Sequence, residues 1–206
     1  MITDKKNLIP EIQKQEFVEL ELGCGNKKKK PSAIGIDALD YPNVDIVGDI
    51  YEVLARFPAG SVDAVSSSHF VEHVPDVQKL LSELARITKS NGKVEFVAPH
   101  FSNPYFYSDP THRQFFGLYT FCYFADHSPF TRSVPTYGHK IEFSISKIDL
   151  IFKSPRHFFV RHFVKRLFGR LFNSCVYMKE LWEENLCYLF PCYEIKYLII
   201  RHERSN

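Results

Sequence analysis

Side chains able to carry protons gather in three short stretches of this chain. His69-Phe70-Val71-Glu72-His73 matches the pattern H-x-x-E-H. Two histidines four apart on a helix can hold zinc, with the glutamate as base, in one class of peptidases. That chemistry needs a third ligand from another element, and none stands out in the sequence. His100 follows Pro99, and Asp109-Pro110-Thr111-His112 places a carboxylate three residues before an imidazole. Imidazoles serve as general bases near neutral pH. A different pattern precedes them all, Glu21-Leu22-Gly23-Cys24-Gly25. Two glycines one residue apart let the backbone turn sharply and approach a ligand that a Cβ would block. Asp37 follows, where a carboxylate at a strand end can accept both hydroxyl hydrogens of a ribose.

Positioning these groups requires strands that end at them. Phe17–Leu22 alternates and is apolar-rich, so it reads as a strand running into the glycines. Ala33–Ile36 is a second strand with Asp37 at its carboxyl end, and Asn43–Val47 a third, ending in Gly48-Asp49-Ile50. Tyr51–Phe57 is a short helix. Val62–Ser67 is the fourth strand, Asp76–Thr88 an amphipathic helix with apolar residues at 77, 80, 81, 84 and 87, and Lys93–Ala98 the fifth strand. Asn7–Gln15 reads as a short leading helix and Leu118–Phe124 as another. Lys140–Phe152 and Tyr193–Arg201 read as two closing strands, with a helical stretch between them. Strands alternating with helices predict a largely parallel sheet, which binds ligands outside the carboxyl ends of its strands. Every motif named above falls at such an end.

Glu21 to Gly25 resembles the first motif of class I S-adenosylmethionine-dependent methyltransferases, and Asp37 stands where that family keeps its ribose-binding acid. The likeness continues through Asp49 and Ser61–Val74 to Pro99, and is similar to small bacterial methyltransferases of polysaccharide and secondary-metabolite pathways. It implies an α/β fold: a doubly wound, mostly parallel, seven-stranded Rossmann-like sheet whose last strand is antiparallel, with a helical insertion before that strand. It also implies one methyltransferase domain over residues 1–206, an acceptor-binding cap at 99–139 and the insertion at 153–190. S-adenosyl-L-methionine is the implied cofactor, held by Glu21, Gly23, Cys24, Gly25, Asp37, Ala38, Asp49, Ile50, Ser68 and His69. His69, His100, Asp109 and His112 are the candidates to deprotonate a hydroxyl acceptor, with His112 favoured and oriented by Asp109. The sequence departs from the family in two places. The third glycine is replaced by the Asn26-Lys27 region. Only seven residues separate Gly25 from Ala33, too few for a crossover helix.

The bulk numbers narrow the partners. A net charge of +2 does not argue for nucleic acid. Five cysteines without C-x-x-C spacing read as reduced thiols in a cytoplasmic protein. The start lacks a signal-peptide apolar region, and no run is long enough to span a bilayer. Lys27–Lys30 reads as a solvated loop, or more sharply as an anion site. Phe159–Phe172 has a helical layout with apolar rows facing basic ones, and no acid lies between Lys153 and Lys179. Its bland use is packing on the sheet edge or on a second copy in a homo-oligomer. Its sharper use, over 156–172, is peripheral contact with the anionic inner face of a membrane. The expected function is methyl transfer to a small-molecule or glycan hydroxyl. The alternatives are an RNA methyltransferase, a non-catalytic cofactor-binding or membrane-associated protein and, remotely, a zinc peptidase. No metal is assigned.

Overall fold

The computed structural model describes residues 2–137 and 141–202. Among these residues nine strands form one sheet: β1 (Thr3–Asp4), β2 (Glu19–Leu22), β3 (Ile34–Asp37), β4 (Ile46–Val47), β5 (Val62–Ser68), β6 (Thr88–Pro99), β7 (Ala125–His127), β8 (Ile141–Ile151) and β9 (Glu194–Arg201). Their order is β1-β4-β3-β2-β5-β6-β9-β8-β7. The expected seven strands are thus seven central ones, with short β1 and β7 added at the edges. The sequence around Thr3–Asp4 and Ala125–His127 shows no alternation that marks a strand. The central pairs are parallel. β9 runs antiparallel to both β6 and β8, as the resemblance implies. Lys140, placed at the start of a strand from sequence, lies outside the described residues.

Among the described residues four α-helices accompany the sheet: α1 (Ile50–Leu54), α2 (Val77–Ile87), α3 (Phe159–Phe172) and α4 (Val176–Asn185). α2 begins where the Asp76 carboxylate accepts the Lys79 N–H at 2.9 Å. Its Val77, Leu80, Leu81, Leu84 and Ile87 are all buried, the stripe expected from their spacing. The leading helix at 7–15 and the one at 118–124 are instead single 3-10 segments, Ile9–Lys14 and Thr120–Tyr123. No helix links β2 to β3, so this crossover is made by turns alone.

The chain leaves β2 toward one edge through β3 and β4, then returns to lay β5 and β6 on the other side. The order reverses between β2 and β5, the place where open sheets of this kind bind ligands at the strands' carboxyl ends. Buried aromatics fill the second half: Phe96, Phe116, Phe121, Trp182 and Tyr197 are each at most 1% exposed. Other aromatics of this half, among them Tyr105, Tyr107, Phe115 and Tyr188, are exposed. Cys24, Cys122, Cys187 and Cys192 are buried free thiols, whereas Cys175 is exposed at the N-terminus of α4.

Candidate active site at the switch point

Gly23 and Gly25 both take the left-handed backbone conformation, at φ +62° and +59°. A Cβ on Gly23 would meet the Phe70 ring at 2.5 Å, whereas one on Gly25 would project into open space. Gly23 N–H donates to Ile36 O at 2.8 Å, and Gly25 N–H donates to Asp37 Oδ2 at 2.8 Å. The loop is therefore pinned to the end of β3 through Asp37 itself. Asp37 Oδ1 accepts the Leu39 N–H at 2.9 Å. Asp49 caps α1, accepting from Tyr51 and Glu52 N–H at 3.0 and 3.2 Å. Asp37, Ala38, Asp49, Ile50, Phe70 and His73 all line a cavity of about 160 Å³.

Glu21 and Cys24 take supporting positions. Both Glu21 oxygens accept backbone N–H groups, from Lys29 and Lys30, each at 2.9 Å. Burial, with Asp37 and Glu21 nearby, pushes the Cys24 thiol up to about 11, so it stays neutral. The lysine run is not simply solvated. Lys28 Nζ bonds Asp45 at 2.7 Å and Ala33 O at 2.9 Å, Lys30 Nζ bonds Glu19 at 2.5 Å, and Lys29 Nζ donates to Ser68 Oγ. Lys28 and Lys30 thus hold the turn that replaces the missing helix.

The four proton-transfer candidates land in different places. His69 follows β5 in a strained left-handed conformation, φ +54°. Its Nε2 lies 3.0 Å from Glu194 and its Nδ1 3.3 Å from Glu72. Glu194 first, then Glu72, raise the imidazole to about 9. Neither Glu72 oxygen has a partner of good hydrogen-bond geometry although the side chain is buried, so its contact with His69 is an electrostatic one. His100 is fully buried, with Nδ1 on Ser102 and Nε2 on Glu183 at 2.8 and 3.0 Å. No part of His100 reaches the surface, so it serves the fold and does not face an acceptor. His112 donates Nδ1–H to Phe106 O at 2.8 Å, which leaves Nε2 as the acceptor nitrogen. Asp109 approaches that nitrogen only to 3.7 Å and instead accepts from Thr111 N–H and Oγ1 at 2.8 and 2.6 Å. The orienting partner of His112 is therefore the Phe106 carbonyl.

H-x-x-E-H does not sit on an α-helix. Val71–His73 is one 3-10 turn, so His69 and His73 are not one turn apart on a common face. The third potential ligand is His112: Glu72, His73 and His112 offer ligand atoms within 4.8 Å of one another. Glu194, 125 residues from His69, is the site residue the sequence pattern did not reveal. Its local signal is the one acid of a closing strand whose other charged residues, Lys196 and Arg201, are basic.

Pinned glycines, a carboxylate at the end of β3 and an order reversal beside them stand together at the carboxyl ends of the parallel strands. Residues 26–96 match the family model described as a methyltransferase domain. Over that stretch the chain is similar to methyltransferase domains. The solved structures support the fold. An S-adenosylmethionine-dependent methyltransferase from Archaeoglobus fulgidus superposes with a TM-score of 0.54 at 18% identity, over 95% of this chain and 90% of that one. A putative methyltransferase from Haloferax volcanii, solved with its Trm112 activator, gives 0.52 at 12% identity, over 94% and 88%. Phosphoethanolamine N-methyltransferase 2 from Haemonchus contortus, bound to S-adenosyl-L-methionine, gives 0.51 at 14% identity over 95% of this chain and only 51% of its own. No curated protein sequence matches.

The residues present fit the cofactor. Any side chain at Gly25 would enter the open space beside Asp37, the kind of cradle a close-lying ligand requires.

Proposed function

We propose that this protein methylates a hydroxyl oxygen of a small-molecule or glycan acceptor, as one domain over 1–206 with an acceptor cap at 99–139 and the insertion at 153–190. One observation carries the cofactor part: Asp37 fastens the left-handed Gly25 and lines the adjoining cavity. The sulfonium of the cofactor supplies an activated methyl. The chain's own task is to line up a nucleophile and remove its proton. Gly23 and Gly25 shape the floor, Asp37 takes the ribose hydroxyls, Asp49 and Ile50 border the adenine, and Ser68 with Lys29 borders the methionine end.

His69 is the base that the geometry favours over His112. It stands where β5 ends, is oriented by Glu194, and 44% of its side chain is accessible. Glu194 also lines the large cleft beside it. A base held near 9 is protonated at neutral pH, so turnover should rise with pH toward that value. Calorimetry with S-adenosylmethionine and S-adenosylhomocysteine tests the cofactor reading, which no heat from either compound would defeat. Release of S-adenosylhomocysteine across a panel of sugars and sugar phosphates then finds the acceptor. With that acceptor, His69→Ala should lose roughly a hundredfold or more in kcat, the usual scale of a lost base, while His112→Ala stays within about tenfold. The reverse ranking returns the role to His112.

α3 supports peripheral membrane contact through 156–172. Its Phe168 and Phe172 pack against Phe152, but Phe159, Val160 and Phe163 are 77, 70 and 58% exposed. Exposed apolar side chains beside unopposed arginines suit an anionic lipid surface. Among the described residues no helix is long and apolar enough to cross a membrane. Flotation with phosphatidylglycerol vesicles should capture the wild type, and Phe159→Ser with Phe163→Ser should abolish capture; equal capture of both would remove the membrane reading.

A further inference from the structure

A cavity of about 930 Å³ opens beside Glu194, the partner of His69, between the segment after β6, the start of α3 and the approach to β9. Three cations line it, Lys153, Arg161 and Lys165, against one carboxylate, Glu194. Glu194 is already committed, accepting from Lys153 Nζ at 2.6 Å and facing His69 Nε2 at 3.0 Å. Arg161 and Lys165 form no ion pair among the described residues. Arg161 donates Nε to Ser154 Oγ at 2.6 Å, and Lys165 Nζ donates to the Pro191 carbonyl. Burial pulls the Lys165 ammonium below its ordinary range, and its contacts are a carbonyl and, at 5.6 Å, the Phe152 ring centre rather than a carboxylate.

The walls next to these cations are aromatic. The Arg161 guanidinium lies 4.2 Å from the Phe158 ring centre, which fixes its plane. Tyr105 and Tyr193 stand on the rim, 68 and 36% exposed, with ring centres 6.5 Å apart. Two positive charges without a carboxylate partner among the described residues match a dianion better than a monoanion. A planar guanidinium fork beside a point ammonium is a combination suited to phosphoryl oxygens. The volume exceeds what a phosphoryl group alone needs, so a ring can lie on the aromatic rim.

Building on the methyltransferase reading, we propose that this cleft binds a phosphoryl group on the acceptor, with Arg161 and Lys165 as its clamp and Tyr105 and Tyr193 against the attached ring. The acceptor is thus a phosphorylated or diphosphate-linked compound, and its hydroxyl is delivered toward His69 while its anion stays under α3.

The probe is inorganic pyrophosphate, titrated calorimetrically into protein saturated with S-adenosylhomocysteine. Binding is expected, weakening as salt is raised. Arg161→Gln and Lys165→Gln should each weaken it about tenfold or more, the scale of one lost charge-assisted hydrogen bond, with S-adenosylhomocysteine affinity unchanged. Lys165→Gln keeps a donor for the Pro191 carbonyl and removes a desolvated charge, so the fold should survive, checked by circular dichroism. S-adenosylhomocysteine binding without pyrophosphate binding, or equal pyrophosphate affinity in all three proteins, overturns the proposal. Pyrophosphate binding without S-adenosylhomocysteine binding sinks the methyltransferase reading instead and leaves the anion site standing. Two sources of the phosphoryl group separate in a second arm. Release of the protein from phosphatidylglycerol vesicles by pyrophosphate supports the clamp with a lipid-borne group. Pyrophosphate binding with no vesicle capture supports it with a soluble one.

Discussion

Replacing His69 by glutamine should remove a defined slice of the protein's pH-dependent stability. In the folded chain the imidazole sits between Glu194 at 3.0 Å and Glu72 at 3.3 Å. Raising it from 6.5 to about 9 would be worth roughly 3 kcal/mol in a fully sheltered site. With 44% of the side chain facing water, screening reduces this to about 1 kcal/mol. The sign follows from where the proton is held. Below about 6.5 both folded and unfolded chains carry it, and the contribution is complete. Between 6.5 and 9 only the folded chain keeps it, so stability falls with rising pH until the contribution is lost above about 9. Thermal unfolding at pH 6 and pH 9.5 measures this. Other groups titrate over that interval in both proteins, so the quantity of interest is the difference between their slopes. Wild type should lose about 2–4 °C more than His69→Gln, the shift that about 1 kcal/mol produces in a chain of this size. Parallel slopes would show that Glu194 and Glu72 do not hold the imidazolium, and the base assignment would lose its electrostatic footing.

Other perturbations test separate parts of the site. Gly23→Ala forces a Cβ into the Phe70 ring at 2.5 Å and strains a residue at φ +62°, so calorimetric cofactor affinity should fall at least tenfold and stability by about 2 kcal/mol. Asp37→Asn keeps the shape but loses the charged acceptor of Gly25 N–H, and S-adenosylhomocysteine should bind about tenfold or more weakly. Trp182→Ala empties a fully buried site packed against Phe152 and His100, costing about 3–5 kcal/mol by denaturant unfolding. Metal analysis of purified protein should find zinc well below stoichiometric, because Glu72 already faces the cationic His69 that a divalent ion would have to displace; a full equivalent lost on His112→Ala would revive the zinc reading.

The central strands and α2 were legible because each carries its own periodicity: alternation in Phe17–Leu22, a 3.6-residue stripe from Val77 to Ile87. Gly23, Gly25 and Asp37 were legible because a turn after a strand with a carboxylate at the next strand end has one common physical use. What escaped was long-range. Nothing near Lys28 announces Asp45, nothing near His69 announces Glu194, and nothing near His100 announces Glu183. These pairs form only once the sheet has brought distant segments together, and no local pattern encodes them. Two apolar rows were visible along α3, but which one would pack was not, since both share the same spacing. The structure settles it: Phe172 is buried and Phe159 is not.

The cysteines have a practical corollary. Burial holds Cys24 and Cys192 up to about 11 and about 12 and also raises Cys122 and Cys187, so these four sulfurs are shielded and protonated at neutral pH. Cys175 alone stands in water, at the hinge between α3 and α4. A maleimide dye would therefore decorate the untouched wild-type chain at one place, a step away from the amphipathic helix, giving a ready-made optical reporter for whatever settles on that face.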